Sequence, residues 1–326
     1  MVSVLEAAPE VNSVGATKKV ECASTILLAT DGTAQSEQAV SAARLVGKRI
    51  GSDVNVLTVV DQLPMPWNTF DATIAAEYER RLAADALSAV KLQVNKFGER
   101  DWPVEVRAGD PAETIAKTGG DRRAKLVMVG LGGHGGTSRV FGSETALRLA
   151  RISKTPVLAV EPHLTELPRR ILVAMDFSEA SIEAARLSLE LAGESGSMVL
   201  AHVVPWTPTP FVPAKWIQSH EESVAAQLAR VIGWLSHRSR FPIGQRILYG
   251  RPGHTLLKYA EELDVDLIAT GTHGRTAPKR LLGGQTVDKL IRGARCSVLI
   301  FPAAAAFHDG KECSERSVAR SQPDAG

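Results

Sequence analysis

The stretch GTHGRTAPKRLLGG at 271–284 has the residue types of a phosphate-binding loop. It places four glycines and three basic residues between an apolar run and an amphipathic one. Glycines let backbone N–H groups approach a phosphate closely, and the N-terminus of a following helix adds partial positive charge. Arg275, Lys279 and Arg280 add full charges. The alternative is that the glycines only serve a turn and the basic side chains face solvent.

The chain contains an internal duplication, and a related loop recurs in its first half. Four pairs of segments match in one order, the first pair with an offset of 145 residues and the other three with an offset of 141: TILLATD with RILVAMD, GDP with GRP, KLVMVG with DLIATG, and TPVLAV with CSVLIF. Such self-similarity indicates tandem units. We expect units at 24–162 and 168–303, a linker at 163–167, and disordered tails at 1–23 and 304–326.

Each unit alternates short apolar runs with longer amphipathic ones. Ten nearly continuous apolar runs are typical of parallel strands covered on both faces: TILLAT, DVNVLTVV, PVEVRA, KLVMVG, PVLAV, ILVAM, SMVLAHVV, IGQRILY, DLIAT and SVLIF. Amphipathic spacing predicts helices at Ser36–Ile50, Asp71–Phe97, Pro111–Thr118, Gly142–Ile152 and Val287–Arg292. Strands that alternate with helices predict an α/β fold of two open, parallel, Rossmann-like sheets.

Ligands bind such sheets at the carboxyl ends of strands, at a topological switch point. The candidates are therefore the residues that follow strands, namely Asp31 with 130–143 and Asp176 with 271–284. Each aspartate also precedes a predicted helix, so it is expected to contact a ligand, to cap the helix, or to do both.

Aromatic and imidazole side chains near these strand ends have simpler interpretations. His134 and His273 are expected to be solvated loop residues, because no partner for proton transfer stands at a useful spacing. His202 is expected to pack in a strand. The tryptophans that follow the second strand of each unit are expected to cover core rather than to close a pocket: Trp67, Trp206 and Trp216.

Composition narrows the classes of function. The 326 residues are 23% charged and 44% hydrophobic with a net charge of +2, which favours neither nucleic acid nor an acidic membrane as partner. Three scattered cysteines lack the spacing of a disulfide framework or metal site, so no side-chain metal site is predicted: Cys22, Cys296 and Cys313. No apolar run approaches the ~18 residues of a membrane span, and no signal-peptide pattern opens the chain. We expect a cytoplasmic protein.

These motifs together resemble the universal stress protein (UspA) superfamily. Its nucleotide-binding branch carries G-x2-G-x9-G-[S/T], and Gly271, Gly274 and Gly284 fit the three glycines in register. The aspartate after the first strand and the G-x-P turn after the third occur in both units, and the resemblance covers about 24–303. It implies an adenine nucleotide alpha hydrolase-like fold. In this family the last strand forms the dimer contact, so the two units are expected to pair as an intramolecular pseudo-dimer, with a homodimer as a further option.

The resemblance implies one site per unit for ATP or AMP, with or without Mg²⁺. In ATP-binding members, residues at the first strand end and in the next strand contact adenine, and the glycine loop holds ribose and phosphates. The first unit offers Thr30, Asp31, Val59, Gly130, Gly133, Gly142, Ser143 and Thr145. The second unit offers Met175, Asp176, Val203, Gly271, Gly274, Gly284 and Gln285.

Neither unit matches the family pattern fully. Gln285 stands where the family has serine or threonine; it can still donate to phosphate, but it is longer. In the first unit, Gly133 and Gly142 are separated by eight residues instead of nine, although Ser143 retains the hydroxyl. Whether one unit, both or neither binds nucleotide therefore stays open.

Missing motifs argue against an efficient catalyst. The chain has no GxxxxGK[ST], no GxSxG, no G-x-G-x-x-G after either first strand, and none of the SGGxDS, HIGH or KMSKS motifs of related adenine-binding enzymes. No catalytic residue is predicted. Three hypotheses follow: a nucleotide-binding stress sensor or regulator with an unidentified protein partner, a UspA-like interaction module that binds no nucleotide, and a slow ATPase or autophosphorylating protein.

Overall fold

The structure is a computed structural model, and it describes residues 24–61, 72–99, 101–131, 143–162, 164–205, 214–272 and 283–303. The strands are β1 (Thr25–Ala29), β2 (Asp53–Val60), β3 (Val104–Ala108), β4 (Leu126–Gly130), β5 (Val157–Val160), β6 (Arg170–Ala174), β7 (Ser197–Val204), β8 (Ile243–Tyr249), β9 (Leu267–Gly271) and β10 (Ser297–Phe301). The helices are α1 (Glu37–Ile50), α2 (Ala72–Lys96), α3 (Pro111–Asp121), α4 (Ser143–Ile152), α5 (Glu179–Leu191), α6 (Ala214–Ser236), α7 (Pro252–Glu262) and α8 (Gly283–Gly293).

The ten strands form one sheet in the order β3-β2-β1-β4-β5-β10-β9-β6-β7-β8. Within each unit neighbouring strands are parallel, whereas β5 and β10 pair antiparallel, with Leu299 opposite Leu158. The second half of the order mirrors the first, so the last strand of each unit lies at the centre of the sheet. The predicted α/β fold and internal pseudo-dimer are confirmed, and the two parallel sheets join into a single mixed one.

Helices cover both faces of the sheet. Helices α1, α2, α5 and α6 bury apolar side chains against one face, and α3, α4, α7 and α8 bury theirs against the other. Alternate residues of one strand serve both cores: Leu28 packs with the first group and Leu27 with the second, and both are almost fully buried. This two-sided burial explains why the inner strands have nearly continuous apolar sequences. The strands at the two ends of the sheet, β3 and β8, carry charged residues and are half-buried or exposed, so the expected cover on both faces does not apply to them.

Local chemistry sets the helix ends, with two differences from the prediction. Helix α3 starts at Pro111 behind Asp110, whose side chain accepts the Glu113 N–H, and it continues to Asp121 rather than stopping at 118. The added turn contains Gly119, where a Cβ would lie 2.8 Å from a methyl of Val127 on β4. The glycine that suggests a helix end thus permits close packing of the helix on the sheet. Helix α8 begins at Gly283, earlier than predicted.

Candidate functional site

Within each unit, the switch point of the sheet brings the predicted strand-end residues together at the carboxyl ends of the strands. Strand β1 pairs with β2 on one side and β4 on the other, and Ala29 lies opposite both Leu57 and Val129. The residues that follow these positions therefore lie close together at the carboxyl ends of the three strands: Thr30, Val59 and Gly130.

The second unit repeats the arrangement. Ala174 of β6 lies opposite Ala201 of β7 and Thr270 of β9. The predicted site residues follow these three positions closely, so they lie together at the carboxyl ends of the strands of this unit: Met175, Asp176, Val203 and Gly271.

In the first unit, the Asp31 carboxylate folds back onto its own loop. Its Oδ1 accepts hydrogen bonds from the Thr33 N–H at 3.0 Å, the Thr33 hydroxyl at 2.7 Å and the Ser36 hydroxyl at 2.8 Å. Asp31 is not itself the helix cap; it holds Thr33, the residue that precedes a short 3-10 turn at 34–36. The capping interpretation is therefore correct only in this indirect sense.

Behind this loop lies a buried polar cluster that includes one residue the sequence analysis missed. Thr30 is fully buried, and its hydroxyl donates to Oε1 of Gln93 at 2.7 Å. Gln93, on α2 and 4% exposed, also donates to the Thr33 carbonyl at 2.7 Å. The only signal in the sequence was a glutamine on the apolar face of a predicted helix.

The second unit holds its equivalent loop with different groups. Asp176 Oδ1 accepts the N–H and hydroxyl of Ser178, and Ser178, rather than Asp176, caps α5. Met175, at the position of Thr30, accepts the Ser181 hydroxyl on its sulfur at 3.3 Å. His202 Nδ1 lies 2.7 Å from the Met175 carbonyl oxygen, in agreement with its predicted place in a strand. The first loop is thus held by the buried amide of Gln93, whereas the second is held by the Met175 sulfur and the His202 ring.

The strand-end glycines differ in how closely the next helix approaches. A Cβ on Gly271 would lie 2.9 Å from both the Ala180 Cβ and the Ser181 backbone nitrogen at the start of α5. The corresponding contacts of Gly130 are at 3.5 Å, to Gln35 and Ser36. Close backbone packing therefore requires glycine in the second unit but not in the first.

The helices that follow the two glycine loops begin with candidate phosphate donors. Ser143 is the first residue of α4, and Thr145 in the same turn is 9% exposed. Gly284 is the second residue of α8, and Gln285 behind it is exposed. Gly133, Gly142 and Gly274 lie outside the described residues, as do His134, His273, Trp67 and Trp206.

Two ion pairs join these same helices across the β5–β10 seam. Arg151 in the last turn of α4 pairs with Asp288 of α8, and Arg292 in the last turn of α8 pairs with Glu144 of α4 at 3.2 Å. The arginines hold the same position in the two repeats. These pairs were not predicted from the sequence, because the repeat offset does not show which helices face each other. Surface pairs of this kind contribute about 0–1 kcal/mol each.

Charge differs between the units beside these helices. The Glu113 N–H, and with it the Arg148 guanidinium, hold the pKa of the Asp110 carboxyl below its usual range. In the second unit Arg251 and Lys289 stand at the positions of Asp110 and Arg148. An ion pair is thus replaced by two cations, which makes this edge of the second unit more attractive to an anion.

Other expected features are placed as follows. Trp216 is 72% exposed near the start of α6, so the prediction that it covers core is wrong. Cys296 is a buried free thiol.

Among the described residues, no group of three or more His, Cys, Asp or Glu could hold a metal ion, and no described helix has the length and apolar content to span a membrane.

A cavity of about 350 Å³ opens in the first unit at the N-terminal ends of β1 and β3, away from the carboxyl ends of these strands. Its lining includes Thr25, Asn55, Glu105 and Arg122. Glu105 is already paired with Arg122 and with Arg107, the latter at 2.6 Å. The cavity is lined by none of the predicted site residues, so it is separate from the candidate site.

Comparison with known proteins identifies the repeated unit. Residues 23–161 and 168–302 each match the model of the Universal stress protein family (Usp). A universal stress protein of Mycobacterium tuberculosis, Rv2005c, is 22% identical over 244 residues, which cover 73% of this chain and 81% of that protein.

A solved structure supports the fold. A universal stress protein from Archaeoglobus fulgidus superposes with a TM-score of 0.58 at 21% identity, covering 86% of this chain and 98% of that one. A universal stress protein in complex with cAMP aligns with 42% of this chain and 99% of its own, with a TM-score of 0.33 at 20% identity. That ligand is a property of that protein alone.

Proposed function

The chain belongs to the universal stress protein family as a tandem member, and we propose that it binds an adenine nucleotide, ATP or AMP, as a sensor or regulator in a stress response. Binding, rather than turnover, is the proposed activity. The site residues carried over from the family pattern are the proposed contacts.

One observation supports this proposal most. In each unit the strand-end aspartate, the strand-end glycine and the second-strand valine come to one edge of the sheet, at the switch point where open α/β sheets bind ligands. The family pattern independently assigns these residues to one nucleotide site. A nucleotide site requires these residues to lie close together, and they do so once in each unit.

The phosphates would lie against the N-terminal turns of α4 and α8. Ser143 begins α4 and Gln285 lies in the first turn of α8, where backbone N–H groups have no partner within the helix. If Mg²⁺ accompanies ATP, phosphate oxygens and water supply most of its ligands, as this ion prefers. A carboxylate such as Asp31 or Asp176 is then the protein group of suitable chemistry.

Calorimetric titration of nucleotide-free protein with Mg-ATP, and separately with AMP, tests the proposal. A stoichiometry near two supports a working site in each unit, and a value near one supports specialisation of one unit. Asp31→Asn and Asp176→Asn form a matched pair that assigns the heat to a unit. No heat, together with no displacement of a fluorescent nucleotide analogue, refutes nucleotide binding and favours the interaction module. Phosphate release above the buffer background instead identifies a slow ATPase.

A further inference from the structure

Gln93 is a buried amide whose hydrogen bonds all go to one loop of the first unit. Its Oε1 accepts the Thr30 hydroxyl at 2.7 Å. Its Nε2 donates to the Thr33 carbonyl at 2.7 Å and to the Ser36 hydroxyl oxygen at 3.1 Å. These partners lie about sixty residues earlier in the chain, on the segment that joins β1 to α1. The side chain is 4% exposed, so it lies behind the loop and away from solvent.

The same loop orients the Asp31 carboxylate. Thr33 and Ser36, the two residues that Gln93 contacts through Nε2, are also the donors to Asp31 Oδ1. The loop is pressed onto α2 as well: Gly32 has a φ of +74°, and a Cβ there would lie 3.0 Å from the Ala89 Cβ. Helix α2 therefore packs directly against the loop, and Gln93 supplies the polar part of that contact.

We propose that Gln93 is a positioning residue for the nucleotide site of the first unit, holding the Thr30–Ser36 loop, and with it Asp31, in the binding conformation. This inference rests on the proposed function. Gln93 acts through the loop, because it is too deeply buried to touch a ligand. The second unit holds its loop through Ser178, Ser181 and His202, so replacing Gln93 should affect one site of the two.

Hydrogen exchange of the full chain, followed by mass spectrometry, resolves the two units. Peptides covering 29–37 and 174–182 report the two loops separately, without nucleotide and across a titration with Mg-ATP. The test variant is Gln93→Leu, which keeps a similar volume but removes the acceptor and both donors. Gln93→Glu keeps the acceptor for Thr30 but sets a buried carboxylate oxygen against the Thr33 carbonyl, so it should disturb the loop at least as much as Gln93→Leu.

Thr118→Val is the matched control. Thr118 is fully buried in α3 of the same unit, where its hydroxyl donates to the Thr114 carbonyl at 2.7 Å. The same hydroxyl accepts a hydrogen bond from Arg107 at 2.9 Å. The variant therefore also removes the hydrogen bonds of a buried polar group, but none that reaches the loop. A residue that only supports the fold should behave like Thr118, with a lower unfolding midpoint and unchanged nucleotide affinity.

We expect Gln93→Leu to speed exchange of 29–37 in the nucleotide-free protein and to weaken Mg-ATP protection of that peptide about tenfold, the change equivalent to one well-placed hydrogen bond. Protection of 174–182 should stay as in the wild type. Unchanged affinity at 29–37, or an equal loss at both peptides, overturns the inference. If Mg-ATP protects neither peptide of the wild type, the proposed function fails, and the exchange of 29–37 without nucleotide alone decides whether Gln93 holds the loop.

Discussion

Alanine at the two strand-end glycines should have different consequences for stability, although the glycines occupy equivalent positions. At Gly271 the added methyl would lie 2.9 Å from the Ala180 Cβ and 2.9 Å from the Ser181 backbone nitrogen. Both obstacles belong to the first turn of α5, so rotation of a flexible side chain cannot relieve them. At Gly130 the nearest atoms are at 3.5 Å, an ordinary van der Waals distance.

The expected magnitudes follow from these distances. Overpacking of this kind costs ~1–3 kcal/mol of folding free energy. Replacing glycine by alanine also restricts the unfolded chain, which stabilises the protein by ~0.4–1 kcal/mol where the backbone conformation suits alanine. Neither glycine has a positive φ, so this gain applies to both. We expect Gly271→Ala to be destabilised by about 1–2 kcal/mol and Gly130→Ala to be neutral or slightly stabilised.

Urea unfolding of the two variants and the wild type, followed by circular dichroism, measures the difference. Hydrogen exchange of 176–182 gives a second readout, because relief of the contact at Gly271 must displace the start of α5. The reasoning is refuted if the two variants have the same free energy of unfolding, or if Gly130→Ala is the less stable.

Three further predictions concern the seam and two titrating groups. Leu299→Ala removes a fully buried side chain opposite Leu158 at the seam and should cost ~2–5 kcal/mol in urea unfolding, whereas Leu263→Ala, at a side chain that is 37% exposed, should cost much less. Burial raises the pKa of the Cys296 thiol to about 12, so an alkylating reagent at pH 8 should modify it in unfolded protein but not in folded protein, as peptide mass spectrometry can show. Burial would raise the pKa of Asp266, but hydrogen bonds from the Arg170 backbone and side chain outweigh it and leave that pKa below the usual 3.8. The resulting stabilisation is present above pH 3.8 and is lost as the pH falls through the folded-state pKa. Asp266→Asn should therefore make the stability of the protein depend less on pH in the acid range.

Much of the fold follows from patterns that are local in the chain. A strand buried on both faces has to be apolar at nearly every position, so the inner strands are visible as runs such as KLVMVG and SVLIF. The duplication is likewise visible, because both copies keep an aspartate after the first strand and a G-x-P turn after the third. The pairing of β5 with β10 was predicted from the family resemblance, and it agrees with the rule that an apolar strand at a sheet edge invites a partner.

Contacts between distant segments were not predictable in this way. Gln93 looked like one polar residue in an amphipathic helix, and only the packing of α2 on the Thr30–Ser36 loop shows that its amide is fully used. Trp216 was expected to cover core, as large aromatic side chains commonly do, yet it is 72% exposed.

Sequence alone specified the repeat, the strands, the strand-end aspartates and glycines, and through them the family. Tertiary packing selected which polar groups support each loop: an amide from α2 in the first unit, and a methionine sulfur and a histidine ring in the second. Periodicity depends on neighbours along the chain, whereas a buried hydrogen bond depends on which side chains meet after the helices dock on the sheet. The two units therefore look alike in their motifs but differ in the groups that hold them.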